Sequence, residues 1–178
     1  KKILITRKLI DSSEKLARKI FDAKLNKEDK ILTKEDLIKK SEGCDGILSS
    51  LTEKFDNNLI SKLPETIKII SNFAVGFGNI DIKAAKKKNI VVTNTPDVLT
   101  DATAEITMLI LLGAARRAKE GTEWANKKNW KWSADFLMGK QLTGGRLGIL
   151  GMGRIGRAVA ERARAFGMKI HYFNRSRL

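Results

Sequence analysis

Three glycines with a characteristic spacing carry the clearest chemical signal in the sequence. Gly151, Gly153 and Gly156 form the pattern G-x-G-x-x-G between a short apolar run and a helical pattern. In such a turn the first glycine permits a tight bend, the second lets the backbone approach a pyrophosphate, and the third lets helix and strand pack closely. A helix that begins at Arg154 and Ile155 adds free N–H groups and a positive dipole end. The pattern predicts dinucleotide binding, with a ligand-free glycine turn as the alternative.

The residues after the next apolar run indicate which dinucleotide is preferred. That run, 168–173, is typical of the second strand of the unit, and Asn174, Arg175, Ser176 and Arg177 follow it. NAD-binding units usually have Asp or Glu here for the ribose 2′-hydroxyl, and a carboxylate would repel a 2′-phosphate. Asn, Ser and Arg side chains instead hydrogen-bond that phosphate and balance its charge. The sequence therefore favours NADP as the cofactor, with NAD as the alternative.

The elements that position this turn are preceded by a regular alternation of strand and helix patterns. Four short runs rich in β-branched and apolar residues are predicted strands: 2–6, 46–50, 67–72 and 89–94. Helical patterns lie between them, with predicted N-terminal caps at 11–13, Thr33, Asp56 and Asp81. Strands and helices at this spacing need crossover connections, so we expect a parallel sheet covered on both faces.

A long apolar helix is expected to begin near Asp101 and to run to Ala115. It is apolar on nearly every face, which predicts burial on nearly every side, and we place it between two domains. Residues 1–99 are then a substrate-binding α/β domain. Residues 100–178 are the start of a dinucleotide-binding Rossmann domain that includes this interdomain helix.

Composition limits the other classes of function. The chain has 35 Lys and Arg against 20 Asp and Glu, a net charge of +15, but the excess forms no basic tail and only 6% of residues are aromatic. Nucleic-acid binding is therefore not favoured, since it needs a phosphate-tracking patch or a stacking platform. A single cysteine, Cys44, predicts neither a disulfide nor a metal cage. The longest apolar stretch is about half of the roughly 20 residues that a membrane span needs, so we expect a cytoplasmic protein.

Three motifs in order resemble those of the D-isomer-specific 2-hydroxyacid dehydrogenases, and most closely the glyoxylate/hydroxypyruvate reductases among them. They occupy residues 72–81, 94–105 and 151–156, and the likeness extends over essentially the whole chain. The resemblance implies an α/β fold, with a flavodoxin-like substrate domain followed by the first βαβ unit of a Rossmann dinucleotide-binding domain.

The resemblance also implies roles for individual residues. The backbone N–H groups of Val75 and Gly76 would bind the carboxylate of a 2-oxo acid, although an ordinary glycine turn is the alternative there. Thr103 would touch the cofactor, and residues 136–138 would line the apolar side of the pocket. Trp130 matches a tryptophan that reaches a neighbouring subunit, which implies a homodimer, with core packing as the alternative.

The groups that perform catalysis in this family are an arginine, a glutamate and a histidine, and the resemblance places all three beyond Leu178. His171, the only histidine, lies within a predicted strand and is interpreted as structural. The expected activity of the intact protein is hydride transfer from NADPH to glyoxylate or hydroxypyruvate, giving the D-2-hydroxy acid. The alternatives are an NAD-linked phosphoglycerate or D-lactate dehydrogenase, and a non-catalytic dinucleotide-binding regulator of the same fold.

Overall fold

The computed structural model describes residues 1–127 and 131–176, which form two compact units. The first unit is Lys1–Val98 and the second is Leu99–Leu178. The sequence-based boundary, between residues 99 and 100, stands one residue further along the chain.

The first unit is a parallel five-stranded sheet with helices between its strands. The strand order is β2-β1-β3-β4-β5, which is a doubly wound, flavodoxin-like arrangement. The strands are β1 (Lys2–Ile5), β2 (Asp22–Leu25), β3 (Gly46–Ser49), β4 (Ile69–Asn72) and β5 (Val91–Thr93). The helices are α1 (Asp11–Ile20), α2 (Lys34–Ser41), α3 (Asn57–Lys62) and α4 (Ile82–Lys87). The predicted α/β class and parallel sheet are confirmed; the edge strand β2, with its polar sequence, was not predicted.

Local capping chemistry sets where three of these helices begin. Thr33 and Asp36 form a reciprocal capping box at α2, and the Asp56 and Asp81 carboxylates accept the N–H groups of Leu59 and Ala84. These interactions satisfy backbone donors that the first helical turn leaves unpaired. The predicted cap at 11–13 is wrong, because α1 begins directly after an extended Ile10 and has no side-chain cap.

The larger part of the core of the first unit lies on one face of the sheet. Leu4, Ile47 and Ile70 are buried there with apolar residues of α2, α3 and α4. Right-handed crossovers put α2, α3 and α4 on that face, because those connections all run in the same direction across the sheet. Only the connection from β1 to β2 runs the other way. Among the helices of this unit the opposite face receives α1, and Ile5 is fully buried there, whereas Ile69 and Val91 farther along the same face are exposed. The expected cover on both faces is therefore only partial in the described residues.

The second unit contains a long helix, a short helix and one βαβ unit. Its elements are α5 (Thr100–Ala115), α6 (Ala118–Ala125), β6 (Arg146–Leu150), α7 (Arg154–Ala165) and β7 (Lys169–Phe173), and β6 pairs with β7 in parallel. Its core joins α5 to α7 through Ala104, Met108, Val159 and Ala163. The predicted strand, turn, helix and second strand are present, whereas α6 was not predicted.

The sequence predicts that helix α5 is buried on nearly every side. In the structure it is buried along one side only. Ala104 and Met108 are buried against α7, but Ile106, Leu109 and Ile110 are about half to two-thirds exposed. Among the described helices α5 packs chiefly on α7, which covers only one stripe of its surface and so explains the difference.

Among the residues that the structure describes, no helix is long and apolar enough to cross a membrane. The same residues contain no group of three His, Cys, Asp or Glu side chains that could hold a metal ion.

Candidate functional site

The loop after β4 contains Val75 and Gly76 and has an unusual set of anchored carbonyl groups. The Ala74 carbonyl accepts the Thr95 N–H at 2.9 Å, and the Val75 carbonyl accepts the Asn94 side-chain amide at 2.8 Å. The Gly76 carbonyl accepts the Asn72 side-chain amide at 2.9 Å. Three consecutive carbonyl groups of the loop are thus held by the protein.

The anchored carbonyls decide where the neighbouring N–H groups point. In a planar trans peptide the C=O of one residue and the N–H of the next point in opposite directions. The N–H groups of Val75, Gly76 and Phe77 therefore face away from the groups that hold the carbonyls, and none of them donates a hydrogen bond to another described residue. Successive free N–H groups form an anion-binding concavity, and a carboxylate is an anion of suitable size.

A network of buried polar side chains lies beneath this loop. Asn72 is fully buried, and its side-chain oxygen accepts the Ser49 hydroxyl at 3.2 Å. Asn79, at the far end of the loop, donates through its amide to the carbonyls of Ser50 and Glu53 at 3.0 and 3.1 Å. The Asn79 carbonyl in turn accepts the Phe55 N–H. From the sequence alone no role is expected for these asparagines, and their only signal is their place inside the 72–81 motif.

An ion pair connects the loops after β1, β2 and β3 at the same edge of the sheet. The Arg7 guanidinium binds both carboxylate oxygens of Asp29, at 2.8 and 3.0 Å, and donates to the Thr52 hydroxyl at 3.0 Å. The Arg7 hydrogen bonds, helped by the Lys8 N–H, lower the pKa of Asp29 to about 2. Thr52 donates onward to the buried Glu53 carboxylate. Arg7 is therefore linked through two side chains to the residues that Asn79 holds.

The glycine-rich turn of the second unit needs its glycines for two separate reasons. Gly151 has a φ of +96°, a conformation that side chains rarely adopt. At Gly156, a Cβ would lie 2.2 Å from the Gly151 carbonyl oxygen, so only glycine fits between strand and helix. A Cβ on Gly153 would meet no described atom within 4 Å. The turn therefore leaves space at Gly153, where a pyrophosphate would approach the backbone.

The N-terminus of α7 provides the donors for such an anion. Gly153 is the N-cap and has no side chain to cap the helix. The N–H groups of Gly153, Ile155 and Gly156 donate to no described residue, while the Ile155 side chain packs against the core. Arg154 is the first residue of the helix. Free N–H groups at the positive end of a helix dipole fit a phosphate, so the residues present fit a dinucleotide.

The residues that follow β7 lie beside this turn. The Gly151 N–H donates to the Phe173 carbonyl at 2.8 Å, which brings the end of β7 to the turn. Asn174 comes next and is half-buried, with its amide bonded to the Ser176 carbonyl at 3.1 Å. Arg175 and Ser176 are exposed. No acidic residue stands at this strand end, and Arg177 lies outside the described residues.

The remaining predicted site residues occupy less informative places. Thr103 lies in the second turn of α5, where its carbonyl accepts the Thr107 hydroxyl; it is Thr107 that lines a cavity of about 420 Å³ along β6 and the turn. Phe136 packs edge-on against Trp124, and Met138 is exposed. Trp130 lies outside the described residues.

His171 lies in the middle of β7, opposite Gly148 of β6, as the predicted second strand requires. Its place within a strand agrees with a structural role.

The comparisons with known proteins give the chain its family. Residues 3–171 match the model of the D-isomer specific 2-hydroxyacid dehydrogenase catalytic domain. The chain is 41% identical to a glyoxylate reductase of Thermococcus litoralis, covering 99% of this chain and 54% of that protein. It is 42% identical to a glycerate dehydrogenase of Hyphomicrobium methylovorum, covering 99% of this chain and 55% of that protein.

A solved structure has the same fold. The TT0316 protein from Thermus thermophilus superposes with a TM-score of 0.90 at 36% identity, over the whole of this chain and 57% of its own length. This chain spans about half the length of the curated relatives that it matches. On these matches, which run through both the loop after β4 and the glycine-rich turn, the chain belongs to the D-isomer specific 2-hydroxyacid dehydrogenases.

Proposed function

We propose that the intact protein reduces a small 2-oxo acid, glyoxylate or hydroxypyruvate, to the D-2-hydroxy acid with NADPH. The observation that carries the proposal is the loop after β4, with its three outward N–H groups at residues 75–77. A 2-oxo acid has a carboxylate next to its reactive carbonyl, and backbone donors bind that carboxylate without needing a charged side chain. The glyoxylate reductase and glycerate dehydrogenase relatives support this substrate class.

In this proposal the glycine-rich turn holds the pyrophosphate of the cofactor. The N–H groups of Gly153, Ile155 and Gly156 bind its oxygens, and Gly153 leaves the backbone bare for the close approach. Asn174, Arg175 and Ser176, beside the turn, bind the 2′-phosphate of NADPH. When bound, the nicotinamide supplies a hydride to the carbonyl carbon of the substrate.

The residues of this chain have a positioning role in the reaction. The Val75 and Gly76 N–H groups hold the substrate carboxylate and so fix the direction of the adjacent carbonyl. Such positioning removes much of the entropic part of the barrier. We assign the proton donor to a histidine beyond Leu178, together with the arginine and glutamate that the family resemblance implies.

The test is a steady-state assay of the full-length protein. Glyoxylate, hydroxypyruvate, pyruvate and phosphohydroxypyruvate are each compared with NADPH and with NADH. We expect the highest kcat/KM for glyoxylate or hydroxypyruvate with NADPH. Preference for phosphohydroxypyruvate or pyruvate with NADH would indicate a phosphoglycerate or D-lactate dehydrogenase, and cofactor binding without any turnover would indicate a non-catalytic regulator. The 178-residue chain alone is expected to show no turnover, and activity that survives its further purification would place the catalytic groups within it.

The proposal includes a homodimer. Exposed apolar side chains on α5, at Ile106, Leu109 and Ile110, support an association of subunits through the second unit. Light scattering of the full-length protein should give twice the mass of one chain, and a monomeric mass at micromolar concentration would contradict the dimer.

A further inference from the structure

We propose that the N–H group of Phe77 is a third donor to the substrate carboxylate, and that Asn72 is the positioning residue that aims it. This inference rests on the proposed function, because it concerns how the same loop binds a 2-oxo acid. It adds one donor to Val75 and Gly76 and gives a buried side chain a role in substrate binding.

The side chain of Asn72 can adopt only one orientation. It is fully buried, and its amide nitrogen donates to the Gly76 carbonyl at 2.9 Å and to the Asn79 side-chain oxygen at 3.1 Å. Its oxygen accepts the Ser49 hydroxyl. Rotation of the amide by 180° would place its oxygen against two other acceptors, the Gly76 carbonyl and the Asn79 side-chain oxygen. A buried amide with this many specific partners is held in place because unpaired polar groups are costly there.

Asn72 and Asn79 together fix the two ends of the loop. Asn79 is bonded to Asn72 and to the backbone of the loop after β3 through the Ser50 and Glu53 carbonyls. The Gly76 carbonyl between these ends is therefore drawn inward to Asn72. Since the Gly76–Phe77 peptide is trans and planar, its N–H points outward.

The donor at Phe77 depends on a different element from the other two. The carbonyls of Ala74 and Val75 are held by Thr95 and Asn94, which follow β5, whereas the Gly76 carbonyl is held by the last residue of β4. The Phe77 N–H has no described acceptor, and its side chain is half-exposed. A change at Asn72 should thus affect the third donor and leave the anchors of the first two in place.

The first experiment removes the donor itself in the full-length protein. Phe77→Pro eliminates the N–H, whereas Phe77→Ala removes the aromatic ring and keeps the N–H. Phe77 is not among the residues with positive φ, which proline could not adopt, and the glycine before it has no Cβ to clash with a proline ring. Relative to Phe77→Ala, we expect Phe77→Pro to raise KM for glyoxylate and Ki for oxalate about tenfold or more, the loss of one hydrogen bond to a charged group. Equal constants in the two variants would overturn the third donor.

The second experiment tests the positioning role. Asn72→Asp keeps the volume but replaces the amide donor by an oxygen that repels the Gly76 carbonyl, and Asn58→Asp introduces the same charge at an exposed site. We expect Asn72→Asp to raise KM for glyoxylate and Ki for oxalate at least tenfold, with the dissociation constant of the cofactor unchanged within twofold. If Asn72→Asp does not fold, Ser49→Ala removes one of the bonds that hold Asn72 and should raise both constants about twofold.

The role of Asn72 would be overturned if the variant that folds, Asn72→Asp or Ser49→Ala, had the wild-type KM for glyoxylate and the wild-type Ki for oxalate. An equal loss of substrate and cofactor affinity would also overturn it, since a purely structural defect has that effect. If the wild type reduces no 2-oxo acid, the proposed function fails, while calorimetric binding of oxalate to the Phe77 variants still decides whether the loop has its third donor.

Discussion

The loop after β4 and the glycine-rich turn both contain backbone N–H groups that donate to no described residue, but the two segments free these groups by different means. In the loop, the donors are oriented from behind, by hydrogen bonds from Asn72, Asn94 and Thr95 to three carbonyls. In the turn, the donors are the N–H groups of Gly153, Ile155 and Gly156 at the start of α7. Gly151 permits the bend through its positive φ, and Gly153 and Gly156 leave space because they have no side chain. One site depends on contacts between distant parts of the chain, and the other on eleven or so consecutive residues of a single strand-turn-helix unit.

Because of this difference, substitutions in the loop and in the turn should have different consequences. A change in the loop can disturb substrate binding without breaking the fold, because a side chain at Gly76 would meet nothing within 4 Å. A change at Gly156 acts on the fold itself, because helix and strand are in contact there. Substitutions at these positions should therefore separate loss of ligand binding from loss of the fold.

Replacing Gly156 by Ala in the full-length protein should abolish useful cofactor binding. Its Cβ would lie 2.2 Å from a backbone oxygen of Gly151, which cannot move without opening the turn. A displacement of about 1 Å is enough for roughly a hundredfold loss of function. We therefore expect the dissociation constant for the dinucleotide, measured by fluorescence titration, to rise at least about a hundredfold. The Tm should also fall. Gly148→Ala is the matched control in the preceding strand, where a Cβ meets nothing within 4 Å. Cofactor affinity within twofold of wild type for Gly156→Ala would contradict the close packing.

Replacing Gly76 by Val should instead leave the fold and the cofactor site intact. The new side chain projects into the open space of the loop and displaces the substrate carboxylate from its donors. We expect kcat/KM for the 2-oxo acid to fall by up to about a hundredfold, with the dissociation constant of the cofactor and the Tm nearly unchanged. Steady-state kinetics and a thermal melt of the same preparation measure this, and unaltered kinetics would remove the loop from the substrate site.

The residues after β7 should set the choice of cofactor. The 2′-phosphate carries roughly −1.5 to −2 charges if it ionises like a phosphoprotein monoester, and each hydrogen bond to a charged group contributes about 1.5–3 kcal/mol. The double change Asn174→Asp with Arg175→Ile adds repulsion and removes a cation, so the ratio of kcat/KM for NADPH over NADH should fall tenfold or more. Arg164→Ile, at an exposed position of α7, is the control for loss of one positive charge. A wild type that already prefers NADH, or a ratio that the double change leaves unaltered, would contradict the assignment.

The smallest effect concerns acid stability of the first unit. The Arg7 guanidinium lowers the pKa of Asp29 to about 2 in the folded protein, against an ordinary value of 3.8. A carboxylate whose pKa is lowered by folding stabilises the fold above its ordinary pKa, and this contribution is lost as the pH falls through the folded value. The wild type should therefore melt slightly above Asp29→Asn at pH 7, and the difference should vanish between about pH 4 and pH 2. Asn tolerates the positive φ of 53° at this position. A difference in Tm that persists at pH 2 would contradict the ion pair as its cause.

The sequence predicts most of the features whose chemistry is local, with the expected cap at 11–13 as the exception. The turn at 151–156 is recognisable because the need for glycine at each position arises from residues close by in the sequence. The capping groups Thr33, Asp56 and Asp81 likewise act on N–H groups only three residues ahead. The alternation of strands and helices predicts the parallel sheet for a similar reason, because crossover connections need that spacing.

Prediction fails where the outcome depends on neighbours that are distant in the sequence. The apolar residues of α5 predict burial on nearly every side, but it packs chiefly on α7, and Ile106, Leu109 and Ile110 are left exposed. The polar strand β2 forms at the sheet edge because β1 offers it a hydrogen-bonding partner, which its own residues do not signal.

The sequence by itself thus determined the family, the α/β class and the position of the glycine-rich turn. It also located the loop of Val75 and Gly76, but only through the resemblance of its motif. That three carbonyls are held by Thr95, Asn94 and Asn72, and that the N–H groups of residues 75–77 therefore point outward, was decided by the tertiary structure. The physical reason is that a peptide group has no preferred direction until a partner fixes it, and these partners come from the ends of two different strands.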